Sequence, residues 1–228
     1  MMNKCVASLP AAVSGIRDGA VILIGGFGNA GIPVELIDAL IDQGAKDLTA
    51  VTNNAGSGRT DIAKLLATGR VRKIVCSYPR SAGSVVFEEL YGAGKIELEL
   101  VPQGTLSERM RAAGAGIGGF FTPTAAGTKL AEGKEVRRIN GRDYVLEAPL
   151  KGDVALIKAE TADRWGNLTF RLAARNFAPT MAMAASLTVV QARKIVDLGA
   201  IAPEHVVTPG VFVDRIVEVS NPAPAGRA

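Results

Sequence analysis

Residues 18–33 read Asp-Gly-Ala-Val-Ile-Leu-Ile-Gly-Gly-Phe-Gly-Asn-Ala-Gly-Ile-Pro and hold the strongest structural signal in the chain. The unbroken apolar run Val21–Ile24 predicts a strand buried on both faces, as in a parallel sheet. A glycine-rich loop follows, and Pro33 then opens a helix whose apolar residues share one face, namely Val34, Leu36, Ile37, Leu40 and Ile41. Because loop amides and a helix N-terminus come together here, the pattern predicts a site for an anion.

The segment Gly26–Gly31 also fits the G-x-G-x-x-G pattern of dinucleotide-binding loops, which makes an NAD-dependent oxidoreductase one interpretation. That site needs an acidic residue at the end of the next strand, where a carboxylate holds the ribose hydroxyls. The next strand is predicted at Leu48–Thr52 and is followed by Asn53 and Asn54, whereas Asp47 lies at its other end. The glycine loop therefore still predicts a site for an anion, but the sequence does not support binding of NAD.

The first half of the chain alternates predicted strands and helices. In chain order these are a helix from Ser8 to Ile16, the strand Val21–Ile24, a helix from Pro33 to Gly44, the strand Leu48–Thr52, a helix from Thr60 or Asp61 to Gly69, the strand Val71–Ser77, a helix at Val85–Tyr91, the strand Ile96–Val101 and a helix at Leu106–Ala113. This alternation predicts an α/β fold with a three-layer, doubly wound, mostly parallel sheet. The loops 25–32, 53–58, 77–84 and 102–105 would then face one crevice.

The second half predicts an insertion and further strands. Residues 114–119 hold four glycines, which are too many for a regular element, and predict an irregular loop before the Phe-Phe-Thr-Pro that follows. Val136–Ile139 and Asp143–Leu146 flank Asn140-Gly141, which predicts a small β-hairpin with a type I′ turn. Other strands are predicted at Val154–Ala159, Leu168–Arg171, Leu187–Val190, Val206–Thr208 and Val211–Val219. Residues 1–220 are expected to form a single domain and residues 221–228 a flexible tail.

Composition excludes several classes of partner. The chain has 228 residues, a net charge of +4 and only 5% aromatic residues. Its basic clusters, at residues 70–73 and 137–138, lack interleaved aromatics, so no nucleic-acid partner is expected. No apolar run approaches the roughly 20 residues of a membrane span, and the first residues lack a signal-peptide core. A cytoplasmic protein with no membrane partner is the expectation.

The few cysteine and histidine residues limit the chemistry. Cys5 and Cys76 are the only cysteines and are expected to be reduced thiols, with Cys76 buried at the end of a strand. His205 is the only histidine, so a site with several histidine ligands is impossible and no metal site is predicted. A structural role is expected for His205.

The glycine stretch resembles the signature of the family I CoA-transferases: Asp-Gly, an apolar run, Gly-Gly-Phe, three residues, Gly, one residue and Pro. Further segments similar to the A (α) subunit of that family follow in the same order, at 101–106, 114–123, 130–134, 165–169, 174–177 and 205–210. The resemblance covers almost the whole chain. One departure is Ala125-Ala126, which stands where the family commonly has Gly-Tyr.

Three segments, 53–56, 76–80 and 89–99, are most similar to the branch of the family that acts on 3-oxoadipate. This resemblance implies transfer of CoA from succinyl-CoA to 3-oxoadipate in aromatic catabolism. Transferases for acetoacetate and other 3-oxoacids are less similar around residues 77–84 and remain an alternative. CoA and succinyl-CoA enter as substrates, and no permanently bound cofactor is expected.

The resemblance also implies a covalent step through a glutamyl-CoA thioester. In the family, the glutamate nucleophile precedes Asn-Gly in the B (β) subunit. None of the 12 glutamates in this chain is followed by asparagine. A B subunit is therefore expected to supply the glutamate, in a heterodimer or heterotetramer, and this chain alone is expected to be inactive. A non-catalytic CoA-binding protein of the same fold is the alternative.

The site residues follow from the same resemblance. The CoA and carboxylate site is expected to be lined by Gly25, Gly26, Phe27, Gly28, Asn29, Ala30 and Gly31. The amide of Gln103 is expected to donate to a carbonyl or carboxylate oxygen. Arg80 is expected to hold the distal carboxylate of a dicarboxylic substrate, with an exposed loop arginine as the alternative. Asn53, Asn54 and Ser77 share the predicted crevice, where capping of their own loops is favoured.

Overall fold

The computed structural model describes residues 2–80 and 83–220. Its strands are β1 (Val21–Ile24), β2 (Leu48–Asn54), β3 (Val71–Tyr78), β4 (Glu97–Leu100), β5 (Phe120–Thr122), β6 (Val136–Ile139), β7 (Arg142–Glu147), β8 (Gly152–Asp163), β9 (Leu168–Thr169), β10 (Ala185–Val196) and β11 (Arg215–Glu218). Its α-helices are α1 (Leu9–Ala12), α2 (Val34–Gln43), α3 (Asp61–Ala67), α4 (Val86–Gly92), α5 (Gln103–Gly114) and α6 (Ala178–Ala184).

The central sheet of the described part of the chain has eight strands, seven of them in the order β11-β10-β8-β1-β2-β3-β4. Every neighbouring pair along this path is parallel, and β9 pairs with β8 in the antiparallel sense. Helices cover both faces of the sheet, so the predicted three-layer α/β fold is confirmed.

Two hydrophobic cores lie on opposite faces of this sheet. Ile22 and Ile24 of β1 belong to the core under α1–α4, whereas Leu23 belongs to the core under α5 and α6. Each of these three side chains is at most 1% exposed. Because both faces of β1 are covered, all of its positions must be apolar, which explains the unbroken run in the sequence.

Helix α2 forms as its sequence predicts. Its apolar face is buried, with Leu36, Ile37 and Leu40 fully inaccessible to solvent. Gly44 ends the helix in the left-handed conformation, with φ 98°, and its amide donates to the carbonyl of Leu40 at 3.2 Å. A residue with a side chain is strained at this φ, so glycine suits the position.

A small antiparallel sheet of three strands, in the order β5-β7-β6, follows α5. The predicted hairpin is confirmed, since Asn140 and Gly141 have φ values of 49° and 80°, as a type I′ turn requires. The irregular loop predicted at 114–119 is found at 115–119, because Gly114 still belongs to α5, and the Phe-Phe-Thr that follows forms β5. This segment pairs with β7, and Arg137 lies 4.6 Å from the centre of the Phe121 ring.

A chain of charged side chains ties this small sheet to the central one. Glu147, only 2% exposed, accepts from Lys134 Nζ at 2.6 Å and lies 4.0 Å from Arg109 Nε on α5. Arg109 Nη1 also pairs with Glu99 at 2.9 Å, and Lys73 Nζ pairs with Glu99 at 2.6 Å. Burial raises the pKa of Glu99, but hydrogen bonds and charges from Lys73 and Arg109 outweigh it and hold the pKa below its usual range. The network fixes α5 relative to both sheets.

Several predicted element boundaries are wrong. Helix α1 ends at Ala12 rather than Ile16, because Gly15 takes a left-handed φ of 80°. Val206–Thr208 is not a strand, and the strand predicted at Val211–Val219 is reduced to β11. Gly210 is the reason, since its backbone packs directly on the turn at 165–167 and carries the chain away from the sheet.

Helix α6 is not predicted from the sequence. Its small residues are buried against α5 and the sheet, and they lack the polar face that marks an amphipathic helix. Strands β8 and β10 are also longer than predicted, at 12 residues each, because they pair with one another along their length. The tail predicted at residues 221–228 lies outside the described residues.

Candidate active site

The candidate site lies where the winding of the sheet reverses. From β1 the chain enters α2 on one face, and β8 connects to β10 through α6 on the other face. Strands β1 and β8 are neighbours in the sheet. A crevice therefore opens at their carboxyl ends, which is where open α/β sheets bind ligands.

The glycine loop after β1 forms a tight turn into this crevice. Phe27 and Ala30 exchange backbone hydrogen bonds of 3.0 Å in both directions, which places Gly28 and Asn29 at the tip. Gly28 adopts a left-handed φ of 55°, and Phe27 is 48% exposed. The loop thus presents Gly28 and Asn29 at an exposed tip.

The start of α2 is closed by the protein itself. The amide of Leu36 donates to Gln191 Oε1 at 3.1 Å, and Gln191 Nε2 donates to Glu35 Oε2 at 2.5 Å. Gln191 comes from β10 and is 1% exposed. The amide of Leu36 is therefore occupied by the protein itself, and the carboxylate of Glu35 lies in the first turn of the helix.

Asn176, in the segment after β9, holds the base of the glycine loop. Its Oδ1 accepts from the amides of Gly26 at 3.0 Å and Phe177 at 2.7 Å. Its Nδ2 donates to the carbonyls of Ala30 at 3.2 Å and Ala174 at 2.8 Å. Asn176 belongs to the family-like segment 174–177, but nothing in its sequence neighbourhood indicates this role.

Gly31 allows this contact. A Cβ atom on Gly31 would lie 2.5 Å from both the Ala174 carbonyl oxygen and Asn176 Nδ2, and Gly31 has a φ of 75°. Only glycine satisfies both restrictions. The glycine pattern is therefore needed for packing between two loops of this crevice.

A second group of polar side chains lies at the ends of β2 and β3. Asn53 Oδ1 accepts from Ser77 Oγ at 2.7 Å and from Gln103 Nε2 at 2.9 Å. The sequence predicts loops at Asn53 and Gln103, but Asn53 belongs to β2 and Gln103 is the first residue of α5. The crevice predicted from their positions is nonetheless the one in which they meet.

Capping of their own loops is favoured by the sequence for Asn53, Asn54 and Ser77, and it is found only for Asn54. Asn54 Oδ1 accepts from the amide of Gly56 at 2.8 Å, so Asn54 caps its own loop. Asn53 instead bridges β3 and α5. Gln103 is exposed and its amide carries a second N–H donor. This arrangement can orient a donor toward a substrate oxygen.

Arg80 lies apart from this cluster. Its Nε is 3.4 Å from Glu88 Oε1 on α4, and its side chain is 70% exposed. The contact is an ion pair, and the guanidinium carries five N–H donors. The described hydrogen bonds join Asn53, Ser77 and Gln103 but do not extend to Arg80.

A basic cavity of about 640 Å³ adjoins the glycine loop. Ala30 and Gly31 form one wall, and Lys158, Arg171 and Arg193 bring positive charge to it. Arg193 is paired with Glu160 at 2.9 Å. The remaining cations favour an anionic ligand beside the loop.

Other candidate reactive groups are remote or inert. Burial raises the pKa of the Cys76 thiol to about 12, so its nucleophilic thiolate form is scarce. His205 lies in an exposed 3₁₀ turn. Within residues 2–80 and 83–220, no group of three or more His, Cys, Asp or Glu side chains is placed to hold a metal. No helix in these ranges has the length and apolar character to cross a membrane.

Comparison with known proteins gives a consistent result. A sequence model of the family described as coenzyme A transferase matches residues 6–219. The A subunit of the 3-oxoadipate CoA-transferase of Pseudomonas putida is 61% identical over 223 residues, which are 98% of this chain and 96% of that protein. Its counterpart of the same name from Acinetobacter baylyi is 60% identical over 226 residues, 99% of each chain. An acyl-CoA transferase from Escherichia coli O157:H7 superposes with a TM-score of 0.83 at 23% identity, covering 99% of this chain and 49% of the other.

Proposed function

This chain belongs to the coenzyme A transferase family, and from that premise we propose that it is the A (α) subunit of an enzyme that moves CoA from succinyl-CoA to 3-oxoadipate. The observation that carries the proposal is the sequence similarity to the A subunits of two 3-oxoadipate CoA-transferases. This chain is 61% and 60% identical to them over nearly its full length. The hydrogen-bonded cluster of Asn53, Ser77 and Gln103 and the glycine loop lie at one edge of the sheet, and they are compatible with half of a shared active site. The enzyme acts in the cytoplasm and needs no resident cofactor, because CoA arrives and leaves as part of the substrates.

The reaction requires a nucleophile that this chain does not supply. A glutamate carboxylate of the B subunit attacks the thioester carbonyl of succinyl-CoA. The C–S bond breaks, CoA departs as the thiolate, and an anhydride between the succinyl group and the glutamate is formed. The thiolate then attacks the glutamyl carbonyl, which releases succinate and forms a glutamyl-CoA thioester. The same steps then run in reverse with 3-oxoadipate. Its carboxylate attacks the glutamyl-CoA thioester, the CoA thiolate departs, and that thiolate attacks the 3-oxoadipyl carbonyl of the new anhydride, which releases 3-oxoadipyl-CoA and the free glutamate.

Residues of this chain bind the groups that react. Gln103, oriented by Asn53 and Ser77, donates from its amide to the substrate oxygen on which negative charge develops. Residues 25–31 line the path of CoA, with the exposed Phe27–Ala30 turn contacting it. The basic cavity beside Ala30 adds attraction for anionic substrates.

Arg80 selects dicarboxylic substrates in this proposal. Both succinyl-CoA and 3-oxoadipate carry a distal carboxylate, and the Arg80 guanidinium, whose ion pair with Glu88 is through Nε, also carries N–H donors on its two Nη atoms. Its high exposure leaves room for a carboxylate to approach.

The B subunit would cover the carboxyl edge of the sheet. Large apolar side chains are exposed there, with Phe27 at 48%, Tyr78 at 64% and Leu172 at 82%. These side chains surround loops that must meet the incoming glutamate. A stable contact needs about 800 Å² from each partner, and a heterodimer or heterotetramer of such pairs satisfies the proposal.

Co-expression with a B subunit that carries Glu-Asn-Gly tests this function. The purified complex should form 3-oxoadipyl-CoA from succinyl-CoA and 3-oxoadipate, with a higher kcat/KM than for acetoacetate. The isolated chain should be inactive. Preference for acetoacetate would reassign the acceptor, and CoA binding without transfer in the complex would support a binding protein. Activity of the isolated chain would refute the shared site, and NAD binding in calorimetry would reopen the oxidoreductase interpretation.

A further inference from the structure

Asn176 occupies an unusual backbone conformation. Its φ is 27° and its ψ is −124°, a region that glycine enters readily and that strains a residue with a side chain. Asn176 is partly buried at the crevice between β1 and β8. If only the path of the backbone mattered here, glycine would relieve the strain. The side chain must therefore provide something that glycine does not.

The carboxamide joins two loops that are distant in sequence. It accepts a hydrogen bond from the amide of Gly26, 150 residues away, and donates one to the carbonyl of Ala30, 146 residues away. These two groups lie on opposite sides of the Phe27–Ala30 turn. Its remaining hydrogen bonds are to its own segment, at Ala173, Ala174 and Phe177. One planar group thus holds both sides of the loop against the segment after β9.

This task requires a donor and an acceptor on one short side chain. A carboxylate would keep the bonds from Gly26 and Phe177 but would face the carbonyls of Ala30 and Ala174 without a proton to donate. Gly31 lies at the same junction, and its missing Cβ leaves the space that Asn176 Nδ2 fills. The two residues form one joint between the loops.

We propose that Asn176 is a positioning residue for CoA transfer, which fixes the exposed Gly28–Asn29 tip where the loop meets the acyl-CoA substrate. The inference rests on the proposed function, because it assigns this loop to the acyl-CoA path. Asn176 itself acts through the loop. Loss of its carboxamide misplaces the tip, and a displacement of about 1 Å is sufficient to reduce turnover up to about 100-fold.

Two substitutions at this position and one control test the proposal in the complex with the B subunit. Asn176→Gly removes the carboxamide and also the backbone strain, and Asn176→Asp keeps the size and the acceptor oxygens. Asn140→Gly is the matched control, because Asn140 has a φ of 49° in the remote hairpin. For each variant we would measure thermal stability, kcat and KM for each substrate, and hydrogen exchange of the amides at 26–31.

Both Asn176 variants should exchange faster at residues 26–31, while the rest of the chain stays protected. Per assembled complex, their kcat should fall about 10- to 100-fold, and Asn140→Gly should match the unaltered protein. Unchanged exchange at 26–31 would overturn the proposal, as would normal kinetics despite a loosened loop. An activity loss that merely follows lower stability and faster exchange throughout the chain would assign Asn176 a structural role only. Absence of transfer in the unaltered complex would refute the proposed function, and loop exchange would still decide whether Asn176 holds the turn.

Discussion

Gln103 Nε2 donates a hydrogen bond of 2.9 Å to Asn53 Oδ1, which links the first residue of α5 to the end of β2. The Gln103 side chain is therefore oriented although it is exposed. Asn53 is held in turn by Ser77, whose hydroxyl donates to the same oxygen. A side chain held in this way can direct its second N–H at a substrate without reorganising.

The substitution Gln103→Ala should lower kcat about 100-fold in the complex with the B subunit, because one preorganised donor to the developing charge is lost. Thermal stability should change little, since the residue is exposed. Ser107→Ala, one turn further along α5, is the control and should leave kcat unchanged. Normal turnover by the Gln103 variant would remove this residue from the site.

Two glycines of one loop should respond very differently to alanine. Gly28 has a φ of 55° and open space around its Cβ position, so Gly28→Ala should cost about 1 kcal/mol of unfolding free energy. Gly31→Ala adds steric overlap with Ala174 and Asn176, and should cost about 3 kcal/mol or more. Urea unfolding measures both values, and equal effects would contradict the close packing at Gly31.

The charged network should make stability sensitive to acid. The folded state lowers the pKa of Glu99, so the ionised carboxylate stabilises the fold above the ordinary carboxyl pKa of about 4.3. This contribution is lost as the pH falls through the lower folded-state value. Glu99→Gln should therefore reduce the unfolding free energy at pH 7 and show a shallower decline on acidification.

Glu97→Gln serves as the control for this experiment, because Glu97 is an exposed carboxylate on the same strand. Its pH profile should follow that of the unaltered protein. Identical acid profiles for all three proteins would show that the ion pairs of Glu99 contribute nothing measurable.

The selectivity assigned to Arg80 can be separated from a general effect of surface charge. Arg80→Ala should lower kcat/KM for 3-oxoadipate relative to acetoacetate by about 10-fold, since a charge-assisted hydrogen bond to the distal carboxylate is lost. Arg59→Ala removes an equally exposed arginine whose partner, Glu89, is also on α4, with Nη2 3.3 Å from the carboxylate. That variant should keep the original ratio, and an unchanged ratio in Arg80→Ala would refute the assignment.

Cys76 should resist alkylation in the folded protein. With a pKa of about 12 its thiolate fraction at pH 8 is on the order of 10⁻⁴, and its side chain is inaccessible. In a Cys5→Ser variant, iodoacetamide should therefore label the protein only after urea is added. Rapid labelling of the folded variant would contradict the burial of Cys76.

The sequence predicts elements whose signals are local. Strand β1, its loop and α2 are specified by adjacent residues: an apolar run, glycines, a proline and a helical repeat that ends at Gly44. The hairpin around Asn140-Gly141 is specified in the same way. The resemblance to the CoA-transferases is also confirmed by the family match, because it depends on many short segments in a fixed order.

Features that depend on distant partners could not be predicted. The full length of β8 and β10 follows from their mutual pairing, and α6 is a helix because small apolar residues fill the space beside α5. The same holds within the candidate site. Asn53, Ser77 and Gln103 could be placed in one crevice by topology, but their hydrogen bonds depend on where β2 ends and α5 begins.

The closed start of α2 has a consequence for biosynthesis. Gln191, which caps the Leu36 amide, follows it by 155 residues, and Asn176 follows Gly26 by 150. During synthesis, the glycine motif therefore leaves the ribosome long before Asn176 and Gln191, the residues that hold it, have been added to the chain. Such long-range closure comes late in folding. A truncated product that retains β1–β4 would display the motif but would lack both Asn176 and Gln191, whose side chains hold it in the complete fold.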